Sequence, residues 1–144
     1  MKITRHEEFE MAHILPNYKG GCGNLHGHTY KIDVTIKGEQ NKKEWGMVLD
    51  FKVLKDVIKS IIPDHKFVYN CKNISDIELE IVDILKDNNL ECIGYPFDTT
   101  AENLVGFFAD KIQDKLPNNI KVVKIDLWET SKNHATWEAE DENC

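Results

Sequence analysis

The stretch LHGHTYKIDVTIK, residues 25–37, decides the fold of this chain. Apolar and polar side chains alternate along it from Tyr30 onward, a pattern that is typical of a β-strand with one buried face. Alternate residues of a strand share a face, so the spacing places His26 and His28 on the side that carries Tyr30 into the core. The sequence therefore predicts a strand over residues 26–38 whose buried face begins with two imidazoles.

The same alternation predicts three further strands, over residues 2–14, over residues 120–129 and from about residue 135 to 140. Three helices are expected between them. They begin after Asp50, at the capping-box pattern SDIE (75–78) and at a second such pattern, TTAE (99–102). This order of elements predicts an α+β fold in which helices cover one face of an antiparallel four-stranded sheet.

Length and charge narrow the classes of protein to consider. The chain has 144 residues, which predicts a single domain over 1–144. It carries 18 Lys and Arg against 25 Asp and Glu, a net charge of −7, which argues against nucleic acid or an anionic membrane as a partner. There is no apolar run of roughly 18 residues and no signal-peptide core, so we expect a cytoplasmic protein.

The cysteines do not form a metal or disulfide framework. None of the four pairs in a CxxC pattern, and in a cytoplasmic chain free thiols are expected. They are Cys22, Cys71, Cys92 and Cys144. Any metal site must therefore be built mainly from histidines.

A third histidine completes a candidate metal site. His13 shares strand parity with Phe9 and Met11, so its ring is expected on the inward face, as are those of His26 and His28. Three neutral imidazoles with an open fourth position are typical of a catalytic zinc site. The alternative is that each is a core histidine hydrogen-bonded to a neighbour. His6 and His134 stay outside the candidate site because strand parity and a polar turn place them elsewhere.

Two further motifs carry groups that can move protons. Cys22 lies four residues before His26 in the glycine-bounded loop GGCGNLHGH (20–28), where a thiol can approach a metal or substrate. The alternative, which the spacing alone favours, is an indifferent loop cysteine. Asp64 and His65 form a possible acid–base pair, and the alternative is a helix stop followed by a surface histidine.

Carboxylates supply the remaining candidates. Glu129 ends the inward row of Val123, Ile125 and Leu127, where a carboxylate is costly unless it is paired, or else it turns into water because the strand has ended. It is suited to a ligand that offers two N–H donors side by side. Glu102 is explained as the fourth position of the capping box that begins at Thr99.

Together these residues resemble the 6-pyruvoyltetrahydropterin synthase / 6-carboxytetrahydropterin synthase family. The matching pieces are FEMAHIL (9–15), CGNLHGHTY (22–30), GMVLDF (46–51), DHKF (64–67), TTAENL (99–104) and WET (128–130). They follow the family's order and cover nearly the whole chain. The segment 71–98 is longer than in the shortest members and adds the helix that begins at SDIE.

The resemblance implies a fold, a cofactor and a set of roles. The fold is the tunnelling fold, in which neighbouring sheets join into a barrel, commonly in a homohexamer of two trimers. The cofactor is Zn²⁺, held by His13, His26 and His28. The resemblance assigns the catalytic base to Cys22, the relay to Asp64 and His65, and contacts to a pterin to Glu129, Thr100 and Glu102.

It also implies an activity on the small molecule 7,8-dihydroneopterin triphosphate. The spacing from Cys22 to His26 resembles the bacterial 6-carboxy type, a carbon–carbon lyase that forms 6-carboxytetrahydropterin, acetaldehyde and triphosphate in queuosine (7-deazaguanine) biosynthesis. The alternatives are the 6-pyruvoyl type, which eliminates triphosphate, and a non-catalytic zinc- or pterin-binding member. An unrelated zinc hydrolase is a further alternative, which leaves Cys22 and Glu129 unexplained.

Overall fold

The computed structural model describes residues 1–140, so Cys144 and the end of the expected domain lie outside the described residues. The strands are β1 (Lys2–His13), β2 (His26–Lys37), β3 (Lys66–Asn70), β4 (Cys92–Tyr95), β5 (Lys121–Trp128) and β6 (His134–Glu138). The helices are α1 (Phe51–Lys59), α2 (Asp76–Asp87) and α3 (Ala101–Lys115). No helix within residues 1–140 is long and apolar enough to cross a membrane.

A six-stranded mixed sheet organises the molecule, in the order β4-β3-β1-β2-β5-β6. β1 and β2 pair antiparallel along their whole length, from Lys2 opposite Lys37 to His13 opposite His26. β5 and β6 extend the antiparallel part. β3 joins β1 in parallel and β4 joins β3 in parallel. The α+β class is confirmed, but the prediction of a four-stranded, wholly antiparallel sheet is wrong.

The two missed strands are short and lack the alternating pattern on which the prediction depended. β3 has five residues, KFVYN, and its neighbouring side chains Phe67 and Val68 are both buried because the two faces of the sheet are covered there. A strand buried on both faces loses the period-two signal. β4 has four residues, CIGY, which is too few to show any period.

The helices lie on both faces of the sheet, which corrects the expectation of one covered face. Leu54 of α1 and Leu104 and Phe108 of α3 belong to the main core, together with the inward residues of β1, β2 and β5. Val82 of α2 packs instead with Phe67 in a second cluster, whose strand residues have the opposite parity. The helix of segment 71–98 therefore covers the far face at the β3–β4 end.

Helix capping agrees with the sequence at two of three positions. Asp50 accepts the backbone N–H of Lys52 at 2.7 Å, and Ser75 with Glu78 forms the complete capping box. The third capping box is wrong, because Thr100 and not Thr99 is the N-cap of α3 and Glu102 is exposed in its first turn. Thr99 is buried and its polar atoms contact another side chain, as described below.

Gly27 is needed where β1 and β2 pass closest to each other. A Cβ atom at this position would lie 2.9 Å from the carbonyl oxygen of Met11 and 3.5 Å from Ala12 Cα. Real side chains do not approach backbone oxygen this closely. Glycine at position 27, between the two histidines of β2, therefore allows β2 to pair closely with β1 at this point. The close approach fixes the distance between the ends of β1 and β2.

Candidate metal centre

Three histidines converge at the end of the β1–β2 pair. His13 is the last residue of β1 and lies opposite His26, and His28 lies opposite Met11. One nitrogen from each ring can be chosen so that all three lie within 4.8 Å of one another, and the Nε2 atoms of His13 and His26 are 3.1 Å apart. The structure thus brings together the three residues that the sequence predicted as metal ligands.

Backbone carbonyls orient two of these rings. Nδ1 of His13 bonds the carbonyl oxygen of Thr99 at 2.9 Å, and Nδ1 of His26 bonds that of Asn24 at 2.8 Å. A carbonyl oxygen can only accept, so each Nδ1 carries the proton, and the lone pair of a neutral ring lies on Nε2. This is the arrangement that metal-binding histidines usually have.

The electrostatics of His13 also favour a metal ligand. Its side chain is 1% exposed, and burial lowers its pKa from 6.5 to about 4, with the charge of His26 acting in the same direction. The ring is therefore neutral at physiological pH and available to bind a cation. Three imidazole nitrogens that converge in this way fit a divalent transition metal, of which zinc is the commonest case.

Glu129 lies beside this cluster and not in water. It follows the last residue of β5, and its Oε1 lies 3.6 Å from His28 Nε2 and 3.9 Å from His13 Nε2. The Tyr30 hydroxyl donates a hydrogen bond to the same oxygen at 3.1 Å. The carboxylate is 27% exposed, so a ligand can reach it. The inward orientation expected from the strand pattern is what the structure has.

Tyr30 itself is a contact that the sequence analysis missed. Its side chain is buried. Burial raises the pKa of its hydroxyl well above the usual range, and the negative charge of Glu129 and the hydrogen bond to it act in the same direction. The hydroxyl therefore remains a donor at every physiological pH. The strand pattern predicts Tyr30 only as a core residue, because strand parity shows burial but not the partner of a polar atom.

Cys22 lies in a single 3-10 turn, Gly21–Gly23, of the loop between β1 and β2. The Leu15 N–H donates to its carbonyl oxygen at 2.9 Å, and a Cβ on Gly23 would lie 2.4 Å from the Tyr18 carbonyl oxygen. The side chain is partly exposed, and its charge contributes to the raised pKa of Tyr30. Cys22 therefore lies near Tyr30, the residue whose hydroxyl contacts Glu129.

Asp64 and His65 make no hydrogen bond or ion pair with the three histidines within residues 1–140. The Asp64 Oδ1 accepts the backbone N–H of Glu10 at 2.9 Å and lies 2.9 Å from His65 Nδ1, and both side chains are exposed. His65 lines a surface cavity of about 450 Å³ with Glu10 and Thr29, whose parity is opposite to that of His13, and His28 also borders this cavity. Within residues 1–140 no hydrogen bond or ion pair joins Cys22 to either residue.

Thr100 and Glu102 make no contact with the histidines among the hydrogen bonds of residues 1–140. Thr100 accepts the Asn103 N–H at 3.4 Å and lines a cavity of about 360 Å³ beside the loop that carries Cys22. The preceding residue, Thr99, contacts His13 through its carbonyl and through its hydroxyl at 3.1 Å. The TTAENL motif thus supports the site at Thr99, a role that its helix-cap pattern did not indicate.

Comparisons with known proteins identify a family to which this chain is similar. The family described as 6-pyruvoyl tetrahydropterin synthase matches residues 2–140. The chain belongs to this family. A protein of Haemophilus influenzae named 6-carboxy-5,6,7,8-tetrahydropterin synthase is 39% identical over 134 residues, 90% of this chain and 92% of that protein. A protein of the same name from Aquifex aeolicus is 35% identical over 126 residues, 83% and 76% of the two chains.

Solved structures show the same fold. The 6-pyruvoyl tetrahydropterin synthase of Caenorhabditis elegans aligns with a TM-score of 0.67 at 23% identity, covering 97% of this chain and 96% of that one. The enzyme of the same name from Plasmodium falciparum aligns with a TM-score of 0.67 at 19% identity, covering 96% and 97%. The resemblance drawn from the motifs is therefore confirmed at the level of family and fold.

Proposed function

We propose that this chain is a zinc-dependent 6-carboxy-5,6,7,8-tetrahydropterin synthase. It would convert 7,8-dihydroneopterin triphosphate to 6-carboxytetrahydropterin, acetaldehyde and triphosphate, a step in the biosynthesis of queuosine. The observation that supports this most directly is the convergence of three imidazole nitrogens beside the Glu129 carboxylate, in a chain 39% identical to a protein named for this activity.

The metal centre would be held by His13, His26 and His28. A zinc ion bound there supplies Lewis acidity, which polarises the side-chain hydroxyl groups of a substrate and favours their ionisation. The Thr99 and Asn24 carbonyls keep the lone pairs of two rings directed at one point, so little reorganisation accompanies metal binding. The neutral state of His13 removes the need to lose a proton first.

The substrate would be oriented by Glu129. A carboxylate has two oxygens that can accept two parallel N–H bonds, and the 2-amino and N3 hydrogens of a pterin form such a pair. Its position beside the histidines would place the side chain at ring carbon 6 near the metal. Thr100 and Glu102, at the start of α3, are proposed as further contacts from the family resemblance.

Cys22 would be the base that takes and returns the side-chain proton at its Sγ, because its loop is adjacent to the cluster and a thiolate is the reactive form. Asp64 and His65 would assist it, but within residues 1–140 neither makes a hydrogen bond or ion pair with Cys22, and Asp64 bonds Glu10, whose strand parity is opposite to that of His13. The relay would be completed by Asp64 and His65 of a neighbouring copy, in keeping with the proposed homohexamer of two trimers.

The first experiment is to incubate the zinc-loaded protein with dihydroneopterin triphosphate and identify the products by mass spectrometry. Carboxytetrahydropterin with acetaldehyde supports the proposal. A pyruvoyl product retains the site and assigns the chain to the 6-pyruvoyl branch, for which the name of the structural neighbours is the supporting observation. Bound zinc without turnover would favour a non-catalytic binding protein.

Variants test the proposed roles. Cys22→Ala should lower kcat by about 10²–10⁴-fold while zinc content is unchanged, the range for loss of a general base. Cys71→Ala is the matched control, because that thiol is exposed and outside the site. If the relay crosses subunits, co-refolding Cys22→Ala with His65→Ala should restore part of the activity. A mixture as inactive as either variant alone would contradict it.

A further inference from the structure

The phenol of Tyr30 lies directly beneath the candidate site. Its side chain is 0% exposed, stacks on Phe9 with ring centroids 5.2 Å apart, and meets His28 edge to face at 5.6 Å and 87°. Aromatic packing on two sides leaves the ring no freedom to turn away. The position of the hydroxyl is therefore set by β2, the same strand that carries His26 and His28.

That hydroxyl donates to one specific atom, Oε1 of Glu129, at 3.1 Å. This is the oxygen closest to the histidines, 3.6 Å from His28 Nε2 and 3.9 Å from His13 Nε2. Within residues 1–140 it is the only hydrogen bond that the Glu129 carboxylate makes, because the two histidine nitrogens lie beyond hydrogen-bond distance. The second oxygen, Oε2, has no hydrogen bond in that part of the chain.

The backbone alone does not fix this carboxylate. Glu129 follows the end of β5, and its N–H donates at 3.1 Å to Asn133 in the turn that leads to β6. A side chain at the end of a strand keeps several rotamers unless something selects one. The bond from Tyr30 selects the rotamer that keeps Oε1 near the histidines and leaves Oε2 available to a ligand.

We propose that Tyr30 is a positioning residue for substrate binding, whose hydroxyl holds the Glu129 carboxylate in the orientation that receives the substrate's paired N–H groups. The inference rests on the proposed function, because it takes Glu129 as the anchor of the pterin ring. Tyr30 itself does not touch the substrate and acts only through Glu129.

The test is Tyr30→Phe, which keeps the stacked ring and removes one oxygen atom. Loss of a hydrogen bond to a charged group should raise KM by about tenfold and change kcat by less than about twofold. Zinc content should be unchanged, because the histidine rings stay packed. Tyr95→Phe is the matched control, since Tyr95 is also buried and packed on aromatic rings but has no hydroxyl partner within residues 1–140.

Combining Tyr30→Phe with a variant of Glu129 shows whether the Tyr30 hydroxyl acts through Glu129 or only through packing of the ring. In Glu129→Ala the acceptor of the Tyr30 hydroxyl is gone, so adding Tyr30→Phe should raise KM far less than it does in the wild type. An equal effect of Tyr30→Phe in both backgrounds would overturn the inference, as would an unchanged KM in the single variant.

A crystal structure of Tyr30→Phe gives a readout that needs no turnover. We expect the Glu129 carboxylate to leave its place near His28 Nε2, and a carboxylate that stays there would overturn the inference. A wild-type protein that turns over no pterin triphosphate would refute the proposed function, whereas the crystal structure still decides the role of Tyr30.

Discussion

Acid should destabilise the metal-free protein through one buried ring, that of His13. Its pKa is about 4 in the folded chain and 6.5 when unfolded, so below pH 6.5 the unfolded state binds a proton that the folded state does not. Stability from the neutral ring is fully present above pH 6.5 and is lost as the pH falls toward about 4. Between about pH 7.5 and about pH 5, this single group should cost about 2 kcal/mol of unfolding free energy.

Urea unfolding of the chelator-treated protein at the two pH values measures this loss, and two variants isolate its source. His13→Gln removes the titrating ring, so its unfolding free energy should fall by about 2 kcal/mol less than that of the wild type over the same interval. His134→Gln, at an exposed position at the start of β6, should retain the wild-type dependence. Equal acid sensitivity of His13→Gln and wild type would refute the reasoning.

Three further changes test other parts of the structure. Gly27→Ala should cost about 1–3 kcal/mol in urea unfolding, because the added methyl meets a backbone oxygen at 2.9 Å, whereas Gly21→Ala, with nothing within 4 Å, should cost less than about 0.5 kcal/mol. Ser75→Ala removes the capping box of α2 and should cost about 1 kcal/mol, and an unchanged urea midpoint would contradict the cap. His26→Ala should abolish stoichiometric zinc binding, measured by atomic absorption after dialysis, and His134→Ala should not; retention of zinc by His26→Ala would exclude the three-histidine site.

The central strands and the histidine cluster could be predicted from the sequence, because both follow from period-two spacing. Burial of Tyr30 fixes the parity of β2, and that parity places His26 and His28 on the inward face. The pairing of β1 with β2 then brings His13 opposite His26. The alternation of side chains along a strand was therefore sufficient to predict the central strands and the histidine cluster.

The remaining features depend on contacts between distant segments. β3 is buried on both faces and shows no alternation, and the face that α2 covers follows from its packing on Phe67. The hydrogen bond from Tyr30 to Glu129 joins residues 99 positions apart. Local spacing carries no information on such partners, so they could not be predicted.

The helix cap of α3 shows a local rule overridden by a distant contact. The pattern TTAE favours Thr99 as N-cap, but its carbonyl and hydroxyl bond His13 and the cap moves to Thr100. The sequence also does not show where the chain runs after α1. The contact between Asp64 and Glu10 of β1 could therefore not be predicted.

The residues of the site lie far apart along the chain, and this affects which measurement shows that a protein preparation contains the complete site. All three imidazoles lie within the first 28 residues, whereas Thr99 lies 86 residues after His13 and Glu129 follows β5. A nascent chain on the ribosome thus exposes every histidine of the candidate metal centre long before Glu129 is synthesised. A proteolytic fragment that ends before β5 would likewise keep the nitrogen ligands. Metal content alone would therefore not measure a complete site, and binding of a pterin, the proposed substrate class, should be measured as well.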